Sequence, residues 1–232
     1  MKPTKRIAPP PDFYTSHNIS TKAPPKDALF WTLWNACTDT AEKALKTDFI
    51  QGIKAGDLSP DHYGSYTVMD AYYCFEGADD YKAVSQRAED PALKALLDHK
   101  YQSYHSYNNY FHTTWGLKDA ASINPNDAVK AYAALESKVC QTEDPIYTLI
   151  VMLPCEHLWY WLSDKIKDHV NGNLYGFWIK GNLDPKGAYA MGNALESYRQ
   201  KYPDRVDESK ALDYYQQAMN GEYQDFAAKV GG

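Results

Sequence analysis

FIQGIKAGDLSPDHYGSYTVMDAYY, residues 49–73, holds a helix end and a helix start within a few positions of each other. Phe49, Ile50 and Ile53 repeat at helical spacing up to Gly56, and Ser59 followed by Pro60 reads as an N-cap with proline in the first helical position. Beyond that cap, Tyr63, Tyr66, Asp70 and Tyr73 fall at i, i+3, i+7 and i+10, which sets one carboxylate among three tyrosines on a single helical face. Such a carboxylate accepts a hydrogen bond from a buried tyrosine, sits at a partly exposed edge, or lines a pocket and binds a polar ligand edge.

The same punctuation recurs along the chain. Leu29, Phe30, Leu33, Trp34 and Cys37 form a 3-4 stripe, and the helix from Pro60 is expected to reach Arg87. Glu89-Asp90-Pro91, Asn124-Pro125, Asp144-Pro145 and Asp184-Pro185 mark further boundaries. Helices are expected over about residues 91–115, 126–140, 145–169, 186–202 and 207–230. No Asn-Gly turn stands between alternating strands, so the expectation is an all-α domain over residues 27–232. The first 26 residues hold six of the thirteen prolines and are expected as a Pro-rich arm without regular helix.

Composition narrows the function classes. A formal net charge of -6, with no dense Lys/Arg run beyond the short start at Lys2, speaks against nucleic acid or anionic membrane as partner. The longest apolar run, residues 149–153, is far below the roughly 20 residues of a membrane span, and the first 26 residues lack an apolar signal core, so a soluble cytoplasmic protein is expected. Cys37, Cys74, Cys140 and Cys155 show no CxxC pairing and read as separate thiols, each by default a buried one. Twenty tyrosines, six tryptophans and seven phenylalanines suit a wide core or an aromatic-lined pocket.

One helical stretch carries an interruption. In IYTLIVMLPCEHLWYWLSDKI, residues 146–166, Pro154 removes the donor to the Ile150 carbonyl and is expected to bend the helix, at about 3 kcal/mol in an ordinary interior. Cys155 follows at once: either a small core residue at a kink or a thiol turned into a cavity. His157 lies about 200° round the helix from Cys155 and is not placed to be its base. Near the end, Tyr215, Met219, Glu222 and Phe226 share a stripe that again holds one carboxylate.

These segments in order resemble the thiaminase II (TenA) family. Residues 49–73 match its F-x-x-G/L-x-x-G-x-L and Y-x-x-Y-x-x-x-D-x-x-Y signature at Gly56, Leu58, Tyr66, Asp70 and Tyr73. Ala131-Tyr132, Leu153-Pro154-Cys155, Phe177-Trp178-Ile179 and Glu222-Tyr223-Gln224 follow, so the likeness covers about residues 27–228. It implies a haem-oxygenase-like all-α bundle, assembled as a homo-oligomer, a tetramer or dimer. It further implies an aminopyrimidine held among aromatic rings, with Asp70 bonding the ring, Cys155 as nucleophile and Glu222 handling protons. Tyr66, Tyr73 and Tyr132 would line the site. Two positions depart from the family pattern: Trp159 and Asn182 stand where pocket tyrosines are usual, so two phenol hydroxyls are missing.

Two functions therefore stand open: a thiaminase II-like hydrolase of thiamin salvage or degradation, or an altered, non-catalytic relative that binds a planar heterocycle. Cofactor and metal are expected to be absent. Asp98, His105 and His112 recur at i, i+7 and i+14, but seven residues of helix separate side chains by about 10 Å, too far to share an ion. Glu76 and His157 lack the Glu-x-x-His partner of di-iron bundles.

Overall fold

The computed structural model describes residues 13–229. Eleven α-helices run through them: α1 (Phe13–Ser16), α2 (Leu29–Asn35), α3 (Thr38–Leu45), α4 (Asp48–Ala55), α5 (Pro60–Arg87), α6 (Pro91–Tyr110), α7 (Asp127–Thr142), α8 (Ile146–Lys165), α9 (Gly176–Gly181), α10 (Lys186–Lys201) and α11 (Glu208–Ala227). No strand occurs among the described residues.

The long helices start where capping side chains satisfy the first free N–H groups. Ser59 Oγ accepts from the His62 N–H at 3.2 Å, Asp90 Oδ1 from Leu93 at 2.8 Å, and Asn126 Oδ1 from Val129 at 2.9 Å. Pro60 and Pro91 occupy first-turn positions, where their missing N–H costs nothing. Gly56 ends α4 at φ 78°, a conformation that costs glycine no Cβ clash.

Helix α8 forms the centre. Every residue from Ile146 to Cys155 is buried, as befits a helix that is apolar all round. It lies against α10 and α11, while α5 packs on α6 and α7, and α11 also meets α7 and α3. The helix continues through Pro154. Cys155 is 1% exposed and faces inward.

Three local elements differ from the sequence expectation. Helix α3 presents only Ala41 and Ala44 to the core, too little for an apolar stripe to stand out. The six residues of α9 are too few to display a period. The helix from Pro91 widens after Tyr110 into a π turn, Phe111–Trp115, closed by Gly116 at φ 67°.

The stretch expected as a Pro-rich arm is described only from Phe13. Residues 1–12 lie outside the described part, and so does the end of the last expected helix. Between Pro11 and Pro24 the chain has no proline, and Phe13–Ser16 form one helical turn, with Tyr14 buried. Phe13 stacks on His99 of α6, ring centroids 3.7 Å apart.

Candidate active site

The residues singled out in the sequence come together from four helices. Tyr66, Asp70 and Tyr73 lie on the inner face of α5, Tyr132 on α7, Cys155 and Trp159 on α8, and Glu222 on α11; all are less than a tenth exposed. Tyr66 stands among them, its hydroxyl within electrostatic range of Asp70, Glu222, Asp225 and Cys155. Its ring stacks on Phe226 at 5.5 Å and meets Trp159 at 6.0 Å.

A cavity of about 370 Å³ opens beside this group, a size suited to a small organic molecule. Its inner wall includes Cys74, Tyr104, Tyr107 and Trp159. The three chemistry-bearing side chains stand one hydrogen bond behind that wall. Tyr107 donates to Asp70 Oδ2 at 3.4 Å and Cys74 Sγ lies 3.8 Å from Oδ1. The Tyr104 hydroxyl reaches Cys155 Sγ at 3.8 Å. Trp159 Nε1 donates to Glu222 Oε2 at 2.9 Å, and Tyr132 donates to Oε1 at 3.1 Å.

That last geometry depends on a close approach. A Cβ on Gly221 would lie 2.5 Å from a Tyr132 ring carbon, so the bare glycine lets α11 close on α7 and brings Glu222 within reach. Asn182, at the end of α9, also lines the cavity, while its amide donates to the Trp178 carbonyl at 2.8 Å. It holds the end of α9 in place of offering a phenol.

The outer cavity is polar. Lys100 of α6, 4% exposed at its side chain, pairs with Glu156 of α8 at 2.9 Å, and both line the cavity with Asp184 and Lys186. Helix α1 and the segment after it add Thr15, Ile19 and Thr21 to the wall. The segment is pinned there by Asn193 of α10, whose side-chain amide donates to the Ser20 and Lys22 carbonyls at 2.9 and 2.8 Å.

Burial sets the protonation pattern. It pushes the phenols of Tyr66, Tyr73, Tyr104 and Tyr132 well above their ordinary range, so all four keep their protons as donors. The Asp225 carboxyl is raised by burial and then by Glu222 and Asp70 nearby. Its Oδ1 has no hydrogen-bond partner among the described residues. His157 sits away from the cavity, edge-on to Trp34 at 4.3 Å and Phe30 at 4.8 Å, so it is no base for Cys155. Asp98, His105 and His112 are exposed on α6 and the π turn.

Sequence reasoning missed part of this site. Tyr104 and Tyr107 belong to none of the motifs quoted from the sequence, and the ion pair joins residues 56 positions apart. Glu136 was legible: it shares a buried stripe with Val129, Tyr132 and Val139 on α7, the same lone-carboxylate signal that picks out Asp70 and Glu222.

Comparisons place these features. A family model described as TENA/THI-4/PQQC family matches residues 37–226. Among solved structures, a TenA homologue protein from P. horikoshii superposes with a TM-score of 0.73 at 18% identity, covering 86% of this chain and 96% of that one. A TenA family transcription regulator from Silicibacter superposes with a TM-score of 0.74 at 15% identity, over 87% and 96%. The fold is thus the helical, haem-oxygenase-like bundle of these proteins. No curated protein matches the chain.

Proposed function

The chain belongs to the TENA/THI-4/PQQC family, and from that premise we propose that it hydrolyses a C–N bond in an aminopyrimidine of thiamin metabolism, with Cys155 as nucleophile. One observation carries the reading. A thiol, an anchoring carboxylate and a second carboxylate on three different helices each sit one hydrogen bond behind the aromatic wall of one cavity.

In this reading the pyrimidine enters as Tyr104, Tyr107 and Trp159 turn aside from the groups behind them, and Asp70 bonds a ring nitrogen, which helps the heterocycle accept electrons. The Cys155 thiolate attacks the carbon that bears the amine. The amine leaves with a proton from Glu222, and the carboxylate so formed takes a proton from the water that displaces the thiolate and frees the product. Separate carboxylates can hold separate protonation states, as the two steps require. Assembly as a homo-oligomer and a cytoplasmic location belong to the same proposal.

Trp159 and Asn182, in place of phenols, favour a second reading, a binder without turnover. The two separate on one set of measurements. Release of hydroxymethylpyrimidine from an aminomethylpyrimidine is expected from the wild type and should fall at least ~100-fold in Cys155→Ala. Normal turnover by that variant removes the covalent role. Quenching of tryptophan fluorescence by aminopyrimidines with no product formed supports the binder.

A further inference from the structure

Four residues of α6 reach the cavity, Lys100, Ser103, Tyr104 and Tyr107. They fall at i, i+3, i+4 and i+7 on one helical face, so the cavity follows about 10 Å of α6. Three contacts mark that length in order. At one end Tyr107 donates to Asp70 Oδ2 at 3.4 Å, and one turn back the Tyr104 hydroxyl reaches Cys155 Sγ at 3.8 Å. At the other end Lys100 Nζ pairs with Glu156 Oε1 at 2.9 Å. The sequence along the groove is therefore ring anchor, nucleophile, ion pair.

That order bears on what lies beyond the bond that breaks. With the ring at Asp70 and the attacked carbon at Cys155, the amine points towards Lys100, about 6 Å further along α6. Ammonia as the departing group would leave that length unused. The ion pair there is a built feature: the Lys100 side chain is 4% exposed and that of Glu156 15%, against 58% and 66% for Asp184 and Lys186. A Cβ on Gly187 of α10 would lie 2.4 Å from Glu156 Oε2 and 3.5 Å from Lys100 Nζ, so a bare glycine makes room for the pair.

Burying two charges is costly even when they pair, and apolar side chains of the same volume would fill the space without that cost. What the pair adds is selectivity for a ligand. A lone anion at Lys100 meets the Glu156 charge, and a lone cation at Glu156 meets that of Lys100. A tail that carries an N–H and a carboxylate a few bonds apart matches both. An ammonium presents three donors and a carboxylate two oxygens, so the pair can hold such a tail without coming apart.

We propose that the Lys100–Glu156 end of the cavity is a leaving-group subsite, and that the substrate is an N-(pyrimidinylmethyl) amino acid, its carboxylate on Lys100 and its amine N–H on Glu156. The proposal rests on the hydrolase reading and names its substrate class. The bond from the methylene carbon to nitrogen breaks, and the electron pair stays on nitrogen, which takes the proton from Glu222. Water supplies the oxygen that ends on the methylene carbon, and a free amino acid departs in place of ammonia.

Two probes test this: the aminopyrimidinylmethyl derivative of glycine and its isobutylamine analogue, which has the same shape and no carboxylate. Wild type should favour the glycine derivative at least ~10-fold, both in kcat/KM and in Kd from tryptophan fluorescence. Lys100→Met combined with Glu156→Gln removes both charges and leaves no buried ion unpaired, so the ratio between the probes should fall to about 1. A ratio taken within one protein is insensitive to a general loss of activity. No preference in wild type, or an equal preference in the double variant, overturns the subsite; cleavage of either probe then leaves the hydrolase reading standing. Tighter binding of the glycine derivative that the double variant loses, with neither probe cleaved, supports the subsite and overturns the hydrolase reading instead.

Discussion

The indole of Trp159 binds a buried carboxylate. Its N–H reaches Glu222 Oε2 at 2.9 Å while Tyr132 holds Oε1, so both oxygens of this carboxyl are oriented by donors on other helices. A hydrogen bond to a charged group is worth about 1.5–3 kcal/mol. Trp159→Phe keeps the aromatic face and removes the donor, so kcat/KM should fall roughly 10- to 100-fold, read by steady-state kinetics. A wild-type value would show that the indole only packs. At this scale the sequence is half legible: a carboxylate alone in an aromatic stripe stands out, whereas the atom that binds it, 63 or 90 residues away, does not.

Among the elements, α1 and the segment that follows it are the ones whose part the sequence hides. The prolines around them suggest an arm, yet Phe13 stacks on His99, Tyr14 is buried, and Thr15, Ile19 and Thr21 form a cavity wall. The attachment near the segment's end is Asn193, which bridges two backbone carbonyls that a turn of this kind leaves unsatisfied. Asn193→Leu should loosen the wall without touching the inner site. Trypsin should then cleave after Lys22 several times faster, read by intact-mass spectrometry, and KM should rise severalfold with kcat nearly unchanged. An unchanged KM would mean that this wall does not meet the substrate. By contrast the starts of α5 and α6 were legible from Ser59-Pro60 and Asp90-Pro91, because a cap acts within its own first turn.

For the whole molecule, the buried His157 ties stability to pH. Burial holds its imidazole down at about 3, against about 6.5 in an unfolded chain. Below pH 6.5 the unfolded chain takes a proton that the folded one refuses, so this group costs stability as pH falls from 6.5 towards 3. Asp80 works the other way: burial raises it to about 6, so its folded form binds the proton first and gains stability as pH falls through that value. A difference between two variants cancels the second contribution. His157→Phe keeps a ring between Trp34 and Phe30, and urea unfolding should show it near wild type at pH 7 and ahead by about 3 kcal/mol at pH 4. A gap that does not widen between those pH values would show that the imidazole charges inside the fold.

What the sequence by itself determined is what short-range physics encodes: helix starts at Ser59-Pro60 and Asp90-Pro91, the apolar run of α8, and the order of motifs that identifies the family. Caps, periodicity and glycine turns act within about four residues of chain, so they are written locally. Which helix crosses which, and therefore which side chains meet, is set by packing of whole faces against one another. Only the tertiary structure decided that Tyr107 reaches Asp70, that Lys100 pairs with Glu156, and that Tyr73 donates to Glu136. Tyr104 and Tyr107, which no sequence motif marks, form the cavity wall because α6 turns them towards Cys155 of α8 and Asp70 of α5.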